Sequence, residues 1–110
     1  MYEATLYRSD VKSLTGHDID DIYTRITGTH LVGLINANFA ELVKVFGAPT
    51  FHDHHDKSQV EWVVNTPMGI ATIYDYKDWQ APQNITVWHI GGHDQTVAEY
   101  VQDYFDKFVK

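Results

Sequence analysis

From Gln59 to Tyr76 two runs rich in β-branched and aromatic residues flank a short turn, and few folds accommodate that pattern. Val60, Trp62 and Val64 fall on one face of the segment Gln59 to Asn65, as every second side chain of an extended strand does. Thr66-Pro67-Met68-Gly69 supplies the turn, with proline presetting φ and glycine tolerating positive φ. Ile70 to Tyr76 returns as the second strand. Strands joined this tightly pair antiparallel, because a parallel pair needs a crossover of a dozen or more residues.

The rest of the chain is read outward from this hairpin. Ile22 to Asn36 predicts two more strands. Ile22, Thr24 and Ile26 alternate with Tyr23, Arg25 and Thr27, Thr27-Gly28-Thr29 is a turn signal, and Leu31 to Ile35 is an apolar run. Gly33 inside that run marks a bulge or a close backbone approach. Asn38 followed by Glu41 is a capping-box pattern, and Phe39, Leu42, Val43 and Phe46 form one helical stripe. Gly47 and Pro49 stop that helix. A polar loop runs from Thr50 to Ser58, and a second loop, Lys77 to Asn84, holds Trp79 and Pro82. Ile85 to Ile90 is a further strand that Gly91-Gly92 is expected to break. Asp94 caps a final helix from Gln95 to about Val109, with the stripe Val97, Val101, Tyr104, Phe105 and Phe108.

The predicted order is β-β-α-β-β-β-α. The class is α+β, a mostly antiparallel sheet with two helices packed on one face. At 110 residues with 44% hydrophobic content, the chain supports one modest core, and oligomerisation would help so small a domain. Residues 1–18 read as an N-terminal arm or a short strand through Tyr2, Ala4 and Leu6, and residues 19–110 as a single domain.

Charge and composition limit function. Fifteen acids against eight bases give a net charge of −7, which disfavours DNA and RNA as partners and suits a basic protein surface. A small anionic ligand stays possible in a locally positive pocket. There is no cysteine, no basic start followed by an apolar run, and no stretch long enough to span a membrane. These features predict a cytoplasmic protein that engages no membrane.

Three constellations carry chemistry. His52-Asp53-His54-His55-Asp56 has metal-ligating residue types but sits in a loop that fixes no geometry, so a solvated loop is expected and no metal or other cofactor is assigned. Trp62, Tyr74, Tyr76, Lys77, Trp79, Trp88 and His89 form an aromatic and basic group. Aromatic faces stack on nucleobases and a lysine neutralises phosphate, but Trp62, Tyr74 and Trp88 equally suit a core. Trp79 lies between Asp78 and Gln80 in a polar loop, where an exposed contact role is open to it. His89-Ile90-Gly91-Gly92-His93-Asp94 runs through glycines into a helix, a setting for an anion or simply for an ordinary turn and cap. No nucleophile or acid–base pair has a defining spacing, and the chain is not read as an enzyme.

Several segments together resemble a widespread family of small bacteriophage accessory proteins. They are Thr27-Gly28-Thr29-x-Leu31-x-Gly33, Leu42-Val43-x-x-Phe46-Gly47-x-Pro49-Thr50, Lys57-x-x-x-Glu61-Trp62, Ala71-Thr72-Ile73-Tyr74-x-Tyr76-Lys77-Asp78 and Trp88-His89-Ile90-Gly91-Gly92. The resemblance spans about residues 25–93 and is associated with anti-CBASS sponges. Those are tetramers that sequester cyclic dinucleotides such as cyclic GMP-AMP without cleaving them. It implies a homo-oligomer of the tetramer type, host-cell cytoplasm as the compartment, and a pocket drawn from Tyr74, Tyr76, Lys77, Trp88 and His89. Lys77 and Arg25 would meet phosphates, and Gly91-Gly92 would supply backbone donors. The chain departs from the pattern after Lys77-Asp78, where Trp79 replaces a glycine-rich turn. The competing expectation, drawn from the −7 charge, is an acidic protein-binding inhibitor of a host defence or nucleic-acid enzyme.

Overall fold

The structure is a computed structural model that describes residue 24 and residues 26–51, 58–76 and 80–109. The arm expected over residues 1–18 lies outside them. Among the described residues, four strands form one antiparallel sheet: β1 (His30–Asn36), β2 (Ser58–Thr66), β3 (Gly69–Tyr76) and β4 (Val87–Gly92). Helix α1 (Phe39–Phe46) follows β1, a single 3-10 turn (Pro82–Asn84) precedes β4, and helix α2 (Gln95–Phe108) follows it. The spatial order is β1-β4-β3-β2, so β4 is threaded between β1 and β3 and all neighbouring pairs are antiparallel. This is the expected α+β class.

The local signals work as chemistry predicts. Asn38 Oδ1 accepts from the Glu41 amide at 2.8 Å, and Glu41 Oε1 accepts from the Asn38 amide at 3.0 Å, closing the capping box of α1. Gly47 ends that helix at φ 87° and donates to the Val43 carbonyl at 2.8 Å. Asp94 caps α2 by accepting from the Thr96 amide and hydroxyl. In the β2–β3 turn, Gly69 adopts φ 122° while the Thr66 hydroxyl donates to the Gly69 carbonyl at 2.6 Å.

Both helices bury their stripes on one face of the sheet. Ile35, Val60, Trp62, Val64, Ala71, Ile73, Trp88 and Ile90 meet Leu42, Val45, Phe46, Val97, Tyr100, Val101 and Tyr104 there. Trp62 and Trp88 cross edge to face at 5.4 Å and 84°. Their indole N–H groups are both satisfied, donating to the Gly47 carbonyl at 2.8 Å and the Ala37 carbonyl at 3.0 Å. A buried tryptophan carries this much apolar area without loss only when its N–H finds a partner. Lys44 ties the helices together by donating to the Val109 carbonyl at 2.7 Å.

Two segments differ from expectation. Thr24 and Ile26 are helical, not extended. Ile22 and Ile26 are four apart, a spacing that suits a helix as well as a strand. The segment ends where the Thr29 amide and hydroxyl both donate to the Ile26 carbonyl, beside Gly28 at φ 87°. The second difference is at Gly91-Gly92, which do not break β4 but complete it. Gly91 pairs with Leu31 and Thr72, and Gly92 with His30 and Ala71. Glycine is required there for space: a methyl on Gly92 would press on Val97 at 3.1 Å, and one on Gly91 would collide with the Thr72 hydroxyl.

Candidate functional site

Strand alternation sends half of the sheet's side chains away from the helices, and register decides which of them meet. Leu34 pairs with His89, His89 with Tyr74, and Tyr74 with Glu61. One row thus crosses all four strands and gathers residues from four separate segments of the chain. The Tyr74 and His89 rings stack at 5.5 Å and 20°. The next row is Leu31, Gly91, Thr72 and Val63. Gly91 leaves the gap over which Tyr74 lies, since a methyl there would stand 3.3 Å from the Tyr74 ring. At the β2–β3 end, Ile26 and Phe51 pack on Val63 and Ile70 and close that part of the face. Tyr74, His89 and Glu61 are half-buried beyond this small cluster.

Glu61 is the electrostatic centre of the row. Burial, reinforced by the Asp75 carboxylate, pushes its pKa up from 4.5 to about 7. Its backbone is fixed by a bridge to Phe51, each amide donating to the other's carbonyl at 2.8–2.9 Å. Asp75 itself is buried and has a structural task. The register of β2 shifts between Ser58 and Glu61, and Asp75 accepts from the amides freed there, Gln59 at 2.8 Å and Val60 at 3.0 Å, and from the Gln59 side chain at 3.0 Å. A buried carboxylate is tolerated when donors surround it in this way.

Of the residues singled out from sequence, Tyr74, His89 and Gly91 share this face, opposite α1 and α2. Trp88 and Gly92 lie on the opposite face, Trp88 within the core and Gly92 against Val97. The backbone of Tyr76 belongs to β3, while its side chain, together with Arg25, Lys77 and Trp79, lies outside the described residues, as does His52 to Asp56. The Gly91 and Gly92 amides belong to a central strand paired on both sides, so an anion-binding glycine turn is not present. Among the described residues, no three His, Asp or Glu side chains come together as a metal site.

Glu61 and Thr72 stand in the segments that carry the resemblance, and Leu34 in the run Leu31 to Ile35, but none of them was expected in the site. Glu61 had a signal, because it sits between Val60 and Trp62 and must face away from their core. Leu34 had one too, because Leu31 to Ile35 lacks alternation and therefore places apolar residues on both faces.

Fold and site define a class: a small α+β domain with α1 and α2 on one face of an antiparallel sheet and an aromatic and acidic row on the other. No family model, characterised protein sequence or solved structure matches the chain. No helix among the described residues is long and apolar enough to cross a membrane.

Proposed function

We propose that the protein is a non-catalytic nucleotide binder that takes a base against the Tyr74–His89 pair, and that its ligand is a cyclic dinucleotide second messenger sequestered without turnover. The observation that supports this reading is the near-parallel stack of Tyr74 on His89 on the face opposite α1 and α2. Base–aromatic stacking is worth about 1–3 kcal/mol per base, and every base has a face to offer. The resemblance supplies the class of ligand. Phosphate recognition falls to His89 and, from sequence, to Lys77 and Arg25 rather than to the glycines.

The test is a thermal-shift panel of cyclic di- and trinucleotides, with native mass spectrometry on any hit. A ligand at a hundred times its Kd stabilises by about 2.7 kcal/mol. The expected result is a stabilising ligand recovered intact, with the shift lost in Tyr74→Ala. Unchanged melting across the panel overturns the proposal.

A further inference from the structure

The edge of the sheet at β1 is built differently from the edge at β2. Phe51 bridges Glu61 on β2, and the Thr50 hydroxyl accepts from the Val63 amide at 2.9 Å, so that edge is partly closed. Among the described residues β1 pairs only with β4, which leaves its outer row of N–H and C=O groups facing outward. Beside that row lies a groove of about 400 Å³ between β1 and α2. Val32, Gly33 and Leu34 form one wall, and Ala98, Glu99 and Asp103 the other. Gly33 brings the walls together, because even a methyl there would stand only 2.8 Å from the Ala98 methyl.

The apolar surface agrees with this placement. Large hydrophobic side chains that stand exposed among the described residues are Leu31 (54%), Leu34 (56%) and Val87 (44%), all on β1 and its neighbour β4. By register, Leu31 and Leu34 project to the side of the edge opposite α2, while Glu99 and Asp103 flank it on the α2 side. A strand added to β1 would therefore present alternate side chains to two different environments, one apolar and one acidic.

We infer that the β1 edge and its flanking groove form a docking site for an extended segment of a partner protein in which basic and apolar residues alternate, added as a fifth strand. Backbone hydrogen bonds give such an addition its affinity, and the alternate side chains give it specificity. Lysine or arginine faces Glu99 and Asp103, and the intervening apolar residues cover Leu31 and Leu34. Charge selects this occupant over a second copy of the chain. The copy's own β1, His-Leu-Val-Gly-Leu-Ile-Asn, brings no lysine or arginine, and pairing two edges would set acidic α2 helices on the same side of one sheet. The net charge of −7 on each copy adds to that repulsion. The inference is independent of the nucleotide reading.

The test uses a labelled seven-residue peptide of alternating valine and lysine, matched in length to β1, followed by fluorescence anisotropy at low salt. Two derivatives carry N-methyl groups on every valine or on every lysine, so that each blocks one edge of the peptide. Saturable binding is expected, lost in one methylated derivative, retained in the other, and weakened about tenfold by Glu99→Lys. Absence of binding up to about 1 mM overturns the inference. Equal binding of both methylated peptides also overturns it, by reducing the interaction to surface charge. So does a dimer in sedimentation velocity that Leu34→Lys abolishes, which would assign the edge to a second copy.

Discussion

The two faces of this sheet come from the same strands and the same alternation, yet they are held by different physics. On the helix side, Trp62, Trp88, Ile35 and Ile90 are wholly buried, and each polar atom they bring inside is satisfied. On the other side, Tyr74, His89 and Glu61 are only half-covered, Leu31 and Leu34 stand in water, and a carboxyl group is left with a pKa near 7. The first face is optimised for stability. The second tolerates desolvated charge and exposed apolar surface, which folding alone does not favour and which binding can use. Residues of equal size should therefore differ sharply in what their removal does.

The largest effect belongs to the helix side. Trp88→Ala removes a buried indole that touches Trp62 and caps the Ala37 carbonyl, and should destabilise by about 3–5 kcal/mol in urea unfolding. A loss below about 1 kcal/mol would mean that this face is not the core. Next is Gly91→Ala, on the other side. Its methyl collides with the Thr72 hydroxyl and crowds the Tyr74 ring, for a loss of about 1–3 kcal/mol. Removing the hydroxyl in the same chain with Thr72→Ala should restore part of the loss, so a double-mutant cycle should show favourable coupling. Simple additivity would deny the close approach.

The third prediction turns on pH. The folded-state pKa of Glu61 lies above its ordinary value, so the neutral form is favoured on folding. That contribution is fully present below about pH 4.5 and is lost as pH rises through about 7. Full linkage would give about 3 kcal/mol, and solvent reaching the half-buried group reduces this to on the order of 1 kcal/mol. Glu61→Gln should match the parent at pH 4 and exceed its stability at pH 8, measured by thermal unfolding at both values. If a nucleotide binds this face, its affinity should fall as Glu61 ionises, and the same substitution should flatten that dependence. A parent whose stability relative to the variant is the same at both pH values would remove Glu61 from the electrostatic account.

What was legible in the sequence, and what was not, follows the same division. The Pro67–Gly69 hairpin, the Asn38–Glu41 capping box and the Asp94 cap are local, and each is written in a few consecutive residues. Core faces were legible where the period was clean, as at Val60, Trp62 and Val64. Trp88 could not be sorted between core and site, because its side depends on where β4 starts, and the strand begins at Val87 rather than Ile85. The row from Leu34 to Glu61 was invisible for a deeper reason. It joins strands that are not consecutive in the chain, in a register set by irregularities at Val32 and between Ser58 and Glu61. Nothing in one sequence encodes cross-strand neighbours at that distance. Gly91-Gly92 misled because glycine pairs serve turns and close approaches equally well, and only the neighbours Thr72 and Val97 tell them apart.

The smallest predicted effect is the most informative about the comparison. Leu34→Ala removes as much side chain as a core truncation that would cost about 2–5 kcal/mol. Leu34, however, is 56% exposed at the outer edge of the sheet, and the solvent already touches most of what would be deleted. Its stability change should stay within about 0.5 kcal/mol, as at other surface positions. Ile35, the next residue along the strand, is wholly buried, and Ile35→Ala should fall in the core range. Measuring the two in one urea series compares adjacent residues of similar volume that differ only in the face to which the strand sends them. A ratio near one would show that the outer face is packed as tightly as the inner, and would leave Leu34 with a role in folding. A large ratio would leave Leu34 dispensable for the fold, as expected of a residue whose apolar surface is held for a partner.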